Sequence, residues 1–173
     1  TTAEYGFFLN DNGGYSSYQG GTYWNDTPPT STVFRVSTNA ATNASGVTYV
    51  AYCWTSIPGY SKIGKYTGTG NSNGAYVHVG FRPAWVLFKR TDSGGNWFIV
   101  DNKRDPFNEC TRDLYPNSFG AETNNPNFVD FLSNGFKLRT TGTAVNGSGG
   151  TYIYMAFAER PSGTMFGLDA NAR

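Results

Sequence analysis

The stretch NASGVTYVAYCW at residues 43–54 returns as NGSGGTYIYMAF at residues 146–157. The likeness extends on both sides, so residues 33–58 form a first copy and residues 135–161 form a second. Several matched pairs are separated by 103 positions: Asn43 and Asn146, Thr48 and Thr151, Tyr49 and Tyr152, and Pro58 and Pro161. A repeat at this spacing predicts a duplicated structural unit of about a hundred residues.

The period of the repeat predicts the domain organisation. Residues 59–161 are expected to be one complete unit, and residues 1–58 the C-terminal half of a preceding unit. Residues 162–173 are polar and are expected to lie across the surface as a tail. We expect sequence upstream of residue 1, or a neighbouring chain, to complete the first unit, because a partial sheet would expose unpaired edges.

Composition and turn signals favour an all-β protein. Aromatic residues make up 17% of the chain and charged residues only 14%, and there are 22 glycines to supply turns. Short apolar segments bounded by Gly, Asn and Pro predict strands at residues 7–9, 33–37, 48–55, 75–80, 84–90, 97–101, 128–132, 136–139 and 151–159. Regularly spaced strands without intervening helices predict an antiparallel β-sandwich, jelly-roll-like and internally duplicated.

The two repeated strands are apolar on both faces. One face carries the larger side chains, which are Val50, Tyr52 and Trp54 in the first copy and Ile153, Met155 and Phe157 in the second. Because neither face is polar, each strand is predicted to be central and covered on both sides, with the larger face directed into the sandwich interior. Cys53 aligns with Ala156, which predicts a small, buried position.

Charge, hydropathy and metal-ligand spacing argue against several function classes. A net charge of +1 without a basic block speaks against nucleic acid as a partner, and the absence of a long apolar run speaks against membrane insertion. The single histidine, His78, and the two cysteines, Cys53 and Cys110, lack the spacings of a zinc site. We therefore expect no metal and no cofactor, and we expect both cysteines to be unpaired thiols.

The densest group of charged residues also has a structural interpretation. Its acids are Asp101, Asp105, Glu109 and Asp113, and its bases are Lys103, Arg104 and Arg112. Alternating signs at close spacing predict a surface salt-bridge network, whereas a glycosidase-like depolymerase acting through these acids is the alternative. Nucleophilic catalysis also has little support, because the chain has only one histidine to serve as a base. The chain is therefore predicted not to be an enzyme.

A loop rich in aromatic residues is the best candidate binding site in the sequence. It carries Tyr15, Tyr18, Tyr23 and Trp24 among Gly, Ser, Gln and Asn. Tyr and Trp give rigid contact area with a polar tip, a composition that suits sugar faces and protein surfaces. The alternative is that these rings pack within the chain or at a subunit contact.

Several longer stretches of the sequence resemble a known protein family. They are YVAYCW at residues 49–54, GFRPAWVLFKRTDS at residues 80–93, DNKRDPFN at residues 101–108, SNGFKLR at residues 133–139 and SGGTYIYMAFAE at residues 148–159. Together they resemble an uncharacterised carboxy-terminal repeat family of tailed bacteriophages, especially marine phages and cyanophages. Members are described as tail-fibre or other virion structural proteins, sometimes joined to lectin-like sandwich domains.

The resemblance implies a role but no site residues. A virion structural protein of this kind would be a tail-fibre or capsid-surface fibre component involved in host attachment, extracellular and located on the tail or capsid. Its partners would be other copies of itself and other virion proteins, and in addition a host-surface glycan or protein. A free carbohydrate-binding, lectin-like module with the aromatic loop as its platform is the alternative function.

Overall fold

The computed structural model describes residues 6–14 and 23–160 of the chain, and it is nearly all β. The predicted tail at residues 162–173 lies outside the described residues, as do Tyr15 and Tyr18. Two short helices, α1 and α2, span Ala40–Asn43 and Thr143–Asn146. The strands are β1 (Ser61–Thr67), β2 (Tyr76–His78), β3 (Trp85–Arg90), β4 (Trp97–Asp101), β5 (Cys110–Asp113), β6 (Thr123–Leu132), β7 (Gly135–Leu138) and β8 (Thr151–Phe157).

The strands form two four-stranded antiparallel sheets, which confirms the predicted all-β sandwich. One sheet has the order β1-β8-β3-β4 and the other the order β2-β7-β6-β5. The first and last strands, β1 and β8, are therefore neighbours, and each sheet contains strands from both the start and the end of residues 61–157. Every strand of both sheets lies between residues 61 and 157. Strands β1 and β5 were not expected from the sequence.

The hydrophobic core lies between the two sheets and follows the alternation of the strands. Val86 and Phe88 of β3 are fully buried, and they face Phe136 and Leu138 of β7. The rings of Phe88 and Phe136 meet edge to face at 5.3 Å, an arrangement that aromatic quadrupoles favour. Burying each such side chain stabilises the fold by about 1.5–3 kcal/mol.

Strand β8 is the centre of its sheet, but its interior face is the opposite of the predicted one. It pairs with β1 on one side and with β3 on the other. Tyr152, Tyr154 and Ala156 are the buried residues, whereas Ile153, Met155 and Phe157 lie on the outer face and are only partly buried. The prediction failed because it ranked the faces by size, whereas Tyr152 can enter the interior since its hydroxyl finds hydrogen-bond partners there.

The outer face of β3 and β4 is covered by the segment at residues 6–14. Trp97 Nε1 donates to the Phe8 carbonyl at 3.0 Å, and the fully buried Lys89 Nζ donates to the carbonyls of Gly95 at 2.8 Å and Asn12 at 3.3 Å. Burial lowers the pKa of Lys89, although the nearby carboxylate of Asp11 partly offsets this effect. The segment therefore closes a surface that would otherwise leave Trp97 and the lysine stem in water.

The first copy of the repeat contains no strand in the structure. The predicted strands at residues 33–37 and 48–55, like the one at residues 7–9, are absent, and every residue from 45 to 58 is exposed. Cys53 is likewise exposed, so the prediction that it is buried like Ala156 was wrong. The physical reason is that a strand needs a hydrogen-bonded neighbour, and no described segment takes the places beside residues 48–54 that β1 and β3 take beside β8.

The duplication is nevertheless visible in the turn that precedes each repeated strand. Asn43 Nδ2 donates to the Ser37 carbonyl at 2.6 Å, and Asn146 Nδ2 donates to the Thr140 carbonyl at 2.7 Å. Each donor is the last residue of a helix of four residues, α1 or α2. Each turn then passes through a glycine in the left-handed region, with φ of 74° in the first copy and 70° in the second.

The repeated tyrosines complete the match. The Tyr49 hydroxyl donates to the Ala40 carbonyl at 2.5 Å and accepts from the Ala44 amide at 2.9 Å. The Tyr152 hydroxyl makes the same two bonds, to the Thr143 carbonyl at 2.7 Å and from the Gly147 amide at 2.8 Å. The two copies therefore share one local fold, in which a tyrosine at the start of the repeated strand ties down the short helix.

Candidate functional site

Tyr23 and Trp24 are helical, and a turn at Asn25 and Asp26 follows them. The turn is held by the Thr27 amide, which donates to the Trp24 carbonyl at 3.2 Å, and by the Ser37 amide, which donates to the Tyr23 carbonyl at 2.9 Å. Both rings are half-buried. They line a hollow of about 120 Å³ together with Gly6, Phe7, Phe8, Ala41 and Thr42.

The structure thus brings together two of the four predicted aromatic residues and adds two that the sequence did not single out. Phe7 and Phe8 line the hollow, whereas Tyr15 and Tyr18 lie outside the described residues. A hollow of about 120 Å³ is smaller than the roughly 300–1,000 Å³ of a typical small-molecule site. Its size and lining suit one apolar group, such as the end of a side chain, better than a sugar ring with its hydroxyls.

A second, larger groove is polar and lies at one end of the sandwich. It encloses about 580 Å³ and is lined by Ser72, Asn73, Pro126, Arg139, Thr140 and Thr141. The Arg139 guanidinium forms an ion pair with Asp130 at 3.4 Å between Nε and Oδ2. Hydroxyl, amide and guanidinium groups together can bind a polar ligand by hydrogen bonds. The sequence did not reveal this groove, because its residues come from strand β6 and from two loops distant in sequence, which only the fold brings together.

Asp101 is committed to the loop that follows β4. Its carboxylate accepts from the backbone amides of Lys103 and Arg104, both at 2.9 Å, and pairs with the Arg104 guanidinium at 2.7 Å. Burial alone would raise the pKa of Asp101, but these hydrogen bonds and the charge of Arg104 outweigh it, so the pKa lies below its usual value. The Asp101 carboxylate is therefore ionised, and its contacts hold the loop after β4 in place.

The other acids of this group are also engaged. Asp105 accepts from the amides of Thr111 at 2.8 Å and Arg112 at 2.7 Å, and the Arg112 side chain is near both Asp105 and Glu122 at 3.8 Å. The fully buried Asp113 accepts, through Oδ1, from Thr123 at 2.6 Å and Asn125 at 2.7 Å. The ion pairs of Arg104 and Arg112 with Asp101, Asp105 and Glu122 form the network that the alternating charges predict. Asp113 is not part of it, because it is buried and its hydrogen-bond donors are neutral.

The histidine and the cysteines are placed apart from one another. His78 lies in β2, where its Nδ1 is 3.3 Å from the Tyr76 hydroxyl. Burial raises the pKa of the Cys110 thiol to about 12, so this thiol stays protonated at neutral pH. Within residues 6–14 and 23–160, no group of three or more His, Cys, Asp and Glu side chains could hold a metal ion. Over the same ranges, no helix has the length and apolar character needed to cross a membrane.

The sequence matches one known protein family. The family described as "Domain of unknown function (DUF7483)" matches residues 1–161. The chain belongs to the DUF7483 family. The matched region of this DUF7483 domain includes both copies of the repeat, so the exposed first copy is part of the family region as much as the sandwich is. No match was found among curated proteins or among solved structures.

Proposed function

We propose that this chain is a structural module of a bacteriophage particle, in a tail fibre or capsid-surface fibre that takes part in host attachment. The observation that carries the proposal is the repetition of one turn, with the same hydrogen bonds, at residues 37–49 and 140–152. Units repeated along one chain suit an elongated appendage, because each unit can be added to the last without a new fold. The resemblance of the sequence to phage virion proteins supports the same role.

The loops of the sandwich offer contact residues for such a role. Phe107, in the loop between β4 and β5, is 81% exposed, and Phe119, in the loop between β5 and β6, is fully exposed. Large apolar side chains at loop tips are costly in water and gain free energy when a partner surface covers them. Under this proposal, the rigid sandwich presents these rings to the host surface or to a neighbouring virion protein.

The test is to look for the chain in purified particles of the phage that encodes it. Mass spectrometry should find it among the virion proteins, and antibody labelling should place it on a tail or capsid appendage. The purified chain should also compete with particles for adsorption to host cells, and the Phe107→Ser/Phe119→Ser variant should compete less well. Absence of the chain from purified particles would overturn the proposal.

A lectin-like, carbohydrate-binding module is the second candidate. The polar groove around Arg139 favours it, because the volume of about 580 Å³ and the hydroxyl and amide lining suit a sugar unit, and the guanidinium suits an acidic one. A glycan array with the unmodified chain, Arg139→Ala and Trp24→Ala tests this candidate. If only Arg139→Ala loses glycan binding, the polar groove is the binding site. If only Trp24→Ala loses it, the aromatic loop is the binding site. If the unmodified chain binds no glycan, the carbohydrate-binding function is ruled out.

A further inference from the structure

Residues 47–56, named here the free segment, have the sequence of a central strand and the surroundings of a loop. Val50 is 76% exposed, Tyr52 is 75% exposed and Trp54 is 59% exposed. The rings of Tyr52 and Trp54 stack on each other at 6.1 Å between centroids, with an angle of 28°. The repeated strand β8 shows what such a sequence does when neighbours are present, since it pairs on both sides.

The backbone of the free segment is unpaired as well. The amide of Val47 donates to the Ala44 carbonyl at the end of the turn, and the next backbone group with a partner is the Thr55 carbonyl, which accepts from the Ser61 side chain. Between these points, no backbone group of residues 48–54 bonds to another described residue. A row of unpaired amides and carbonyls on an extended apolar segment is a template for pairing with another strand.

The apolar surface around the free segment has the extent of an interface. The exposed large apolar residues of the first copy are Val33, Phe34, Val36, Val47, Tyr49, Val50, Tyr52, Trp54 and Ile57. Together they present on the order of several hundred Å², whereas the largest patch of a typical monomer is about 300–600 Å² and a standard interface buries about 800 Å² per partner. A patch of this extent is of the size that marks interaction sites on protein surfaces.

We propose that the free segment pairs antiparallel with the free segment of a second copy of this chain. A two-fold axis makes two identical strands antiparallel, and it brings each apolar residue of one copy beside an apolar residue of its partner. Residues 47–58 contain no charged side chain, so self-pairing brings no like charges together. The free segment runs into the isolated bridge between Ile57 and Ser61 at the start of β1, so the new ladder would continue towards an existing sheet.

This inference goes beyond the proposed function and does not rest on it, because it follows from residues 33–57 alone. A chain that is absent from phage particles could still form this dimer, and a virion protein could be monomeric in solution. The outcomes of the two experiments are therefore independent.

The first measurement is the mass of the full chain by sedimentation equilibrium over a range of concentrations. The unmodified chain should be a dimer at tens of micromolar, and the Tyr52→Lys/Trp54→Lys variant should be a monomer. That variant should still unfold in one cooperative transition, with the melting temperature that the unmodified chain shows when it is diluted until it is monomeric. Because the lysines of the two copies would face each other, association should weaken by about 100-fold or more. The matched control is Phe107→Lys/Phe119→Lys, which adds the same charge at two exposed rings elsewhere and should leave the dimer intact.

The second measurement is hydrogen exchange of the amides of residues 48–54. Every second one of these amides should be protected at dimer-forming concentrations, because a strand paired along one edge directs alternate N–H groups at its partner. This protection should be lost on dilution or in the Tyr52→Lys/Trp54→Lys variant. A monomeric unmodified chain at all concentrations would overturn the proposal, as would a dimer in which these amides exchange freely. Protection that does not depend on concentration would place the pairing partner inside the same chain and would equally contradict it.

Discussion

Residues 33–57 and residues 135–157 repeat one another in sequence, but only the second set lies inside a sandwich. The short helix, the glycine of positive φ and the two bonds of the tyrosine hydroxyl are present in both. After the tyrosine the copies diverge, because β8 has a strand on each side and residues 48–54 have none among the described residues.

The difference separates what local sequence determines from what requires distant parts of the chain. The turn forms in both copies because its hydrogen bonds join residues no more than nine positions apart. The strand forms only where β1 and β3, which are distant in sequence, supply the ladder and cover the apolar faces.

The largest difference in the loss of unfolding free energy is expected between Asn146→Ala and Asn43→Ala. The buried Asn146 side chain donates to the carbonyls of Asn71 and Thr140 and accepts from the Thr69 amide, whereas Asn43 makes one bond, to Ser37. Truncating Asn146 leaves several buried groups unpaired and should lower the free energy of unfolding by about 3–5 kcal/mol, whereas truncating the exposed Asn43 should cost less than about 0.5 kcal/mol. Urea denaturation of both variants measures the difference, and equal losses would contradict the comparison.

A smaller difference of the same kind is expected for the tyrosine hydroxyls. Tyr152→Phe removes a hydroxyl that is bonded to the Thr143 carbonyl and the Gly147 amide inside the fold, and it should cost about 1–3 kcal/mol. Tyr49→Phe removes the same pair of bonds at the surface, where water replaces the hydroxyl, and it should change the unfolding free energy by less than about 0.5 kcal/mol. Thermal unfolding of the two phenylalanine variants tests this, and a loss at Tyr49 as large as at Tyr152 would mean that the first copy is also packed.

The two cysteines should differ in reactivity and in their effect on alkaline stability. Burial raises the pKa of Cys110 to about 12, so the folded state holds this proton more tightly than the unfolded state does. The contribution of this thiol to the free energy of unfolding is fully present below about pH 8.5, the pKa of a cysteine in the unfolded chain. It is lost as the pH rises towards 12, by up to about 1.4 kcal/mol per pH unit.

Urea denaturation between pH 8 and 10 measures this effect. In Cys53→Ala the free energy of unfolding should still fall as the pH rises over this range. In Cys110→Ala this fall should be smaller, because the buried thiol is gone. Alkylation at pH 9 should modify Cys53 rapidly in the native protein and Cys110 only after denaturation. Rapid alkylation of native Cys110 would contradict its burial in the sandwich.

The sequence determined the class of fold but not the interior face of β8. Aromatic and β-branched segments punctuated by Gly and Asn predicted the sandwich correctly, and the 103-residue offset predicted where the turn would recur. Both faces of residues 151–157 are apolar, so alternation could not decide between them. The decision depends on the partners of the Tyr152 hydroxyl, Thr143 and Gly147, which become its neighbours only when α2 forms.

The surroundings of the candidate site residues could not be predicted, for a related reason. Composition singled out Tyr23 and Trp24, but the hollow that they line with Phe7, Phe8 and Ala41 depends on where the N-terminal segment lies in the fold. The polar groove joins loops that are more than fifty residues apart in the sequence, such as those of Asn73 and Arg139. Its residues are ordinary surface types, and only their convergence makes a site.

Hydrogen exchange on the monomeric Tyr52→Lys/Trp54→Lys variant tests most directly whether one copy is packed and the other is not. The account predicts that the amides of β8 exchange only through global unfolding, with protection of about 10⁴-fold or more. In the same sample, the amides of residues 50–54 should exchange within about tenfold of an unstructured chain, because nothing in the described structure bonds to them. Equal protection of both segments in this monomer would contradict the account.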